Sequence, residues 1–599
     1  MKTLIIATST LALSTMALAE PNPMRNAYFG ETHMHTALSL DAYIGGARLM
    51  PSDSLRFAKG EPVLVNGRHK QLSRPLDFAA VSDHVEYLGE MYSTIFPEAP
   101  GYEQEDLQQL RSLETLKDKQ DWFYKYVIAN NRGENPIHPP FYQGPETTKS
   151  GWQIIIDAAE EHNDPGSFTA LIAFEWSAAP NGGNMHRNVI FRDSVVPDLP
   201  MSSYDSNKVE DLWDWLQNAQ DNGSTLLAIP HNSNASKQQM FPEFNSFGEA
   251  PDKDWASTRQ AWEPLIEMMQ IKGNSEVHEA FWQADEFAGF ENANSIQKNS
   301  NRYFHKRDFV REGLKLGLAA QQELGVNPYK YGFIGGTDNH NGLMSDLAED
   351  DFIGGHGPED GSVDRRRKGG VGGWIDGIDL SIGSLAGVWA EENTRASIWD
   401  AMKRRETFAT SGPRVKVRMF GGSDLADDPT DPVAMVEDGY ENGVPMGGDL
   451  IGDKAPTFTV YAQKDPDGAN LDRIQIIKGW VDATGEIHEE IIDVAWSGDR
   501  EIAADGKLPS VGNTVDLTTA LYTNEIGAPT LMGSWADAGF DPEQGAFYYA
   551  RAIEIPTPRW STYDAVRSGL PLLEEVPATI QERAWGSPIW YTPAGQSEP

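Results

Sequence analysis

Between residues 27 and 412, short apolar runs keep ending in residues able to bind a metal, and no other feature constrains the fold as strongly. Phe29-Gly30-Glu31-Thr32 leads into His33-Met34-His35. The 77–82 run ends in Asp83-His84, the 168–174 run in Glu175, and the 226–229 run, through Pro230, in His231. The 333–337 run ends in Asp338-Asn339-His340 and the 266–271 run in Lys272. Continuous apolar runs mark buried parallel strands, and functional residues of α/β barrels gather at the C-terminal ends of such strands. Packing alone gives no reason for six runs to deliver a polar residue at the same end. In an extended strand His33 and His35 share a face, so they can grip one ion together.

Between these runs lie helical patterns. Val209, Leu212, Trp213 and Leu216 follow i, i+3, i+4, i+7 and predict a helix over 208–219, leading through Asp221-Asn222-Gly223 into the next strand. A second helix is predicted over 394–405 on Ile398, Ala401 and Met402. Helix alternating with strand indicates an α/β architecture. Two long intervals, near 90–165 and 235–330, read as partly helical insertions able to roof a pocket. Beyond residue 415 the runs become β-branched and aromatic, as in Thr457-Phe458-Thr459-Val460-Tyr461, and predict a β-rich domain over 416–599.

Cysteine is absent from the 599 residues, which excludes disulfides and thiolate ligands. A metal here sits among imidazoles and carboxylates, a donor set that suits zinc, manganese or iron. Lys2, an apolar stretch to Leu18 and Ala17-Leu18-Ala19 read as a cleavable leader over 1–19, so the protein is expected in a bacterial periplasm or medium. No later run has membrane-spanning length, so no membrane anchor is expected. The net charge of −40 disfavours nucleic-acid polymers but not a small anionic substrate facing local cations.

The order His-x-His, Asp-His, Glu, His, His, Asp-x-His resembles the PHP (polymerase and histidinol phosphatase) superfamily. That resemblance implies a distorted seven-stranded β/α barrel over 24–415 and two or three divalent ions. It implies nine metal ligands: His33, His35, Asp41, His84, Glu175, His186, His231, Asp338 and His340. Glu175 would bridge two ions. His33, His35 and Asp338 would serve one metal, Asp41, His84 and His340 a second, and His186 with His231 a third. Asp41 stands where many members carry histidine, and His186 precedes its apolar run (Val189-Ile190-Phe191) instead of following it. The whole chain is similar to the secreted bacterial domain-of-unknown-function 3604 family, through Arg404-Arg405-Glu406-Thr407-Phe408-Ala409-Thr410-Ser411-Gly412 and Gln475-Ile476-Ile477-Lys478-Gly479-Trp480.

Clustered dications activate water at neutral pH and neutralise charge on phosphoryl oxygens, so the expected chemistry is phosphoester hydrolysis by metal-activated hydroxide. Asp83 is a candidate proton acceptor or ligand-orienting group, and Arg187 and Lys272 are candidate substrate contacts. Two other readings stand beside this one. The same centre can hydrolyse carboxyl, carbamate or sulfate esters, or it can be a non-catalytic metal-binding site.

Overall fold

The computed structural model describes residues 20–65, 68–128, 136–345, 347–357, 360–426, 429 and 431–594. The expected leader over 1–19 lies outside the described residues. Nine strands carry the part that matters for the site: β1 (Asn26–Glu31), β2 (Phe78–Val81), β3 (Thr169–Trp176), β4 (Arg187–Phe191), β5 (Leu226–Pro230), β6 (Leu265–Glu267), β7 (Gly332–Ile334), β8 (Leu385–Ala390) and β9 (Thr407–Thr410).

The architecture is mixed α/β. One 13-stranded sheet runs β5-β4-β3-β2-β1-β8-β9 and continues through Arg583–Gly586 and Ala546–Glu554 to the C-terminal strands. β1, β2 and β3 are mutually parallel, as continuous apolar runs predict. β4 is antiparallel to both β3 and β5, and β8 is antiparallel to β1. β6 and β7 form a separate parallel pair. No closed barrel is found among the described strands. The β6–β7 pair is held at its edges by Thr407 Oγ1 donating to the Phe333 carbonyl and by the Phe333 amide donating to Ser587 Oγ.

The predicted helices appear as α1 (Val209–Asp221) and α3 (Arg395–Lys403), the latter capped by Thr394, whose hydroxyl accepts from the Ser397 amide. The long intervals also carry helices, among them Leu88–Ile95, Leu116–Phe123, Pro145–His162 and α2 (Val310–Leu324). Beyond β9, Leu471–Val481 and Ile487–Trp496 extend the large sheet through Ala546–Glu554. A four-stranded sheet built on Lys416–Gly422 and Thr457–Gln463 packs alongside, with the Phe458 ring 4.2 Å from that of Tyr548.

One buried carboxylate ties α2 to this C-terminal sheet. Glu276 accepts from Arg311 (2.6 Å), Tyr549 Oη (2.6 Å), Trp585 Nε1 (2.7 Å) and Arg551 (3.2 Å). Burial alone would raise its pKa, but Arg551 and Arg311 outweigh it and hold the group down at about 2. A depressed carboxylate contributes stability above its unfolded pKa, and that contribution is lost as pH falls through the folded value. Glu276→Ala removes one of the two buried carboxylates that face Arg311 and Arg551, leaving Asp285 to serve both, and is expected to cost about 3 kcal/mol. Asp400→Ala, at the partly exposed Arg192 pair, is expected to cost less than about 1 kcal/mol. Denaturant unfolding at neutral pH compares the two, and the gap should narrow below about pH 4.5, the ordinary value of the group, and close only near its folded value of about 2.

Candidate metal centre

All nine residues singled out by sequence meet at one end of the sheet. β2, β3 and β5 deliver His84, Glu175 and His231 at their C-terminal ends, and β1 leads through Thr32 to His33 and His35. β4 runs the opposite way, so its N-terminal end reaches the same place. That direction explains why His186 comes before its apolar run. Two ligand-bearing loops use the left-handed backbone region: Asp338 itself has φ 55°, and Asn232, after His231, has φ 54°. Such a conformation is uncommon outside glycine and is frequently retained at functional sites. The Asp338 amide donates to the His33 carbonyl and the His35 amide to the Asn339 carbonyl, locking the two loops together.

Glu175 is the hub. His35 (3.1 Å), His84 (3.3 Å) and His33 (3.5 Å) approach its Oε2, while His186 (2.5 Å) and His231 (3.1 Å) approach Oε1. Asp338 Oδ1 lies 3.1 Å from His35 Nε2 and 3.3 Å from His33 Nε2. Asp41 Oδ2 lies 3.1 Å from His340 Nε2 and 3.3 Å from His84 Nε2. At this centre four groups of three have ligand atoms close enough to hold an ion: His33/His35/Asp338, His35/His84/His340, His33/Glu175/His231 and His84/Glu175/His186; a fifth among the described residues, Asp482/Glu486/His488, lies elsewhere.

Hydrogen bonds on the outer ring nitrogens set the tautomers. His33 Nδ1–H donates to Glu267 Oε2 (2.8 Å), and His340 Nδ1–H donates to the Asp338 carbonyl (2.7 Å). His35 Nδ1–H donates to Ser39 Oγ (2.9 Å), which donates to Asp83 Oδ1 (2.7 Å). Each arrangement leaves an Nε2 lone pair facing the centre, as metal-binding histidines require. The Nε2 atoms of His33 and His35 and Oε2 of Glu175 are buried with no hydrogen-bond partner. A buried polar atom left unpaired is costly, and a cation at this point satisfies all three. Several His, Glu and Asp groups here can therefore hold a metal ion.

Electrostatics point the same way. Burial pulls His84 down, but Glu175 and Asp41 outweigh it and raise its pKa to about 10; Asp338 and Glu267 likewise overcome burial and raise His33. Burial dominates at His186 and His340, holding them down at about 4 and about 3. Neighbouring rings of the cluster are thus pushed in opposite directions, His33 and His84 up and His186 and His340 down.

The remaining candidates separate clearly. Asp83 is fully buried behind the ligands, accepting from the Thr36 amide (2.6 Å), Thr36 Oγ1 (2.6 Å) and Ser39 Oγ, so it orients His35 and does not face the cleft. Arg187 turns away from the centre. Its guanidinium pairs with Glu263 (3.0 Å) and donates to the Met185 carbonyl (2.6 Å) in a fully buried position, which removes it as a substrate contact. Lys272 reaches the site but pairs with Asp338 Oδ2.

Sequence reasoning missed Glu267, Gln270, Ser39, Ser177 and Glu31. Gln270 Nε2 donates to Asp338 Oδ2 (2.7 Å), and Ser177 Oγ lies 2.5 Å from His84 Nδ1. Glu31 accepts from the His33 and Thr337 amides and from the Thr337 and Ser345 hydroxyls; burial raises its pKa to about 7. Glu267 and Gln270 belong to the same apolar run as Lys272, where a polar residue inside a buried strand was the available signal.

The chain belongs to the family described as protein of unknown function (DUF3604), whose model matches residues 22–593. No curated protein matches the chain, and no solved structure does.

Metal binding must displace the protons held by His33 and His84, so apparent affinity is expected to keep rising with pH up to about 10, where His84 loses its proton unaided, with net proton release. Calorimetry in two buffers of different ionisation heat measures both. Glu175→Ala is expected to abolish metal retention. Ser39→Ala, which frees the His35 ring, is expected to weaken affinity about 10- to 100-fold, read by metal analysis after dialysis.

Proposed function

We propose that the protein is an exported, metal-dependent hydrolase of small phosphoesters, with a PHP-type centre of two or three divalent ions. The observation that carries this reading is the convergence of inward-facing Nε2 atoms and unpaired carboxylate oxygen at the end of the sheet, open on one side only. The buried side is formed by His33, His35, Glu175 and His231, each almost fully inaccessible. On the open side the Asp41, His186 and His84 side chains keep 33%, 20% and 12% exposure. A structural site is closed, whereas a catalytic one keeps positions for water and substrate.

The distorted barrel is part of this proposal. Its support is that β6 and β7 sit beside the large sheet with Asp338 and Glu267 turned to the same centre as the ends of β1, β2, β3 and β5. The nine ligand positions also occur in PHP order.

In this reading His33, His35 and Asp338 would hold one ion, Asp41, His84 and His340 a second, and His186 with His231 a third, with Glu175 shared between ions. Bound dications lower the pKa of water and neutralise charge developing on phosphoryl oxygens. The chain's own groups do the rest. Glu267 and the Ser39–Asp83 relay keep His33 and His35 in the ligating tautomer. Lys272 and Gln270 hold Asp338 by its second oxygen, leaving Oδ1 for the centre. Asp41, the most exposed of the nine, stands where substrate enters.

The test is hydrolysis and metal content measured on one preparation. Chelator-sensitive turnover of aryl phosphate mono- or diesters is expected, and His35→Ala is expected to lose metal and at least about 1,000-fold in kcat/KM while the fold persists. Turnover only of carboxyl or sulfate esters overturns the substrate assignment. Full metal loading with no turnover of any ester places the protein among metal-binding proteins instead.

A further inference from the structure

Away from the metal centre, the 347–351 segment and the C-terminal sheet border a second cleft of about 730 Å³. Three glutamates line it: Glu349 from that segment, Glu554 at the end of the Ala546–Glu554 strand, and Glu582 just before Arg583–Gly586. The Glu349 carboxyl lies against that of Glu582, and Glu554 is close enough for its charge to act on Glu582. Glu349 Oε2 accepts from the Trp560 amide, and Glu582 Oε2 accepts from the Ser411 hydroxyl. The Oε1 atoms of Glu554 and Glu582 are buried with no hydrogen-bond partner, in residues only 1% and 3% exposed.

The cations around this trio are committed to other groups. Arg559 pairs with Glu291 (2.6 Å), and Lys464 donates to the Asp465 (2.9 Å) and Gly468 (2.8 Å) carbonyls. Arg583 turns to the Phe287 carbonyl (3.0 Å). Arg74 pairs with Asp465 (2.5 Å) and Asp467 (3.3 Å), and Arg414 donates to the Arg74 and Pro75 carbonyls. Asp350 and Asp351 add negative charge at the rim, where Asp351 has Lys70 as its partner. Burial pushes all three glutamates up, Glu582 to about 8, and a neighbouring carboxylate adds to the rise in each case.

Buried carboxylates in contact, with no guanidinium or ammonium paired to them among the described residues, are costly unless a cation joins them. A bare metal ion fits poorly: the three do not bring ligand atoms close enough together to share one ion, and the space is far larger than an ion needs. Leu72, Leu347, Ile382 and Leu385 give the cleft an apolar wall beside the acids. An ammonium group carries three N–H donors, one for each carboxylate.

We propose that this cleft binds a small primary alkylamine in its ammonium form. Its N–H groups donate to Glu349, Glu554 and Glu582, and its alkyl chain lies on the apolar wall. The site is separate from the metal centre and independent of what that centre hydrolyses.

The protein is titrated calorimetrically with n-butylammonium, with tetramethylammonium, which has the same charge and no N–H, and with calcium. Salt at about 150 mM screens the surface field beyond about 8 Å. The n-butylammonium ion is expected to bind at least about tenfold tighter than tetramethylammonium. Glu554→Gln and Glu582→Gln should each weaken it at least about tenfold, with the metal content of the protein unchanged. Equal binding of the two ammonium ions, or affinity that survives both substitutions, means attraction to net charge alone and overturns the inference. Calcium binding that excludes the amine makes the cleft a metal site and overturns it too. No binding of any of the three means that the carboxyls hold protons between them instead, which also overturns it.

Discussion

A single carboxylate approached by five imidazoles organises this molecule. Glu175 is 0% exposed, and His33, His35, His84, His186 and His231 all lie within 3.5 Å of its two oxygens. Such a concentration of titratable groups is expensive to bury. Its members pull one another's protonation in opposite directions, with His84 raised and His186 lowered. Divalent cations would remove the conflict by accepting neutral imidazoles and offsetting the negative charge of Glu175, Asp338 and Asp41.

Much of the surrounding structure exists to hold that hub in place. Glu31 gathers the amides and hydroxyls of the first and last ligand loops, so the His33 and Asp338 segments cannot drift apart. Asp83 does the same for the 36–39 turn, and Glu267 fixes one ring directly. These three acids touch ligands or ligand loops without facing the cleft. They are outer partners that commonly matter to affinity almost as much as the ligands. At a distance, the Glu276–Arg311–Arg551 cluster fastens α2 to the C-terminal sheet.

Most of the candidate positions were legible because they end or begin an apolar run, where chemistry-bearing residues stand out against the background; Asp41, on the Leu40–Gly45 helix, was reached only through the family resemblance. The helices over 209–221 and 395–403 were equally visible, through 3.6-residue periodicity and, for the second, the Thr394 cap. Strand direction was not legible. Nothing in Arg187-Asn188-Val189-Ile190-Phe191 says that it runs antiparallel, and the odd placement of His186 was the only trace. Arg187 was placed by its adjacency to His186, but successive residues of a strand point to opposite faces, and its guanidinium lies buried against Glu263. The single sheet joining both halves of the chain depends on pairings between residues some 180 positions apart, such as Phe408 with Gly586, and no local pattern encodes them. Glu349 stands far from Glu554 and Glu582 in sequence, and only the fold brings the three to one cleft.

The central claim is that these nine side chains are a metal centre. Anomalous diffraction from crystals of metal-loaded protein, collected on either side of the relevant absorption edge, tests it most directly. The account predicts two or three edge-dependent peaks, each within bonding distance of His33, His35, His84, His340 or Glu175. A fully loaded crystal with no peak among these residues, or with peaks only elsewhere on the molecule, would contradict it.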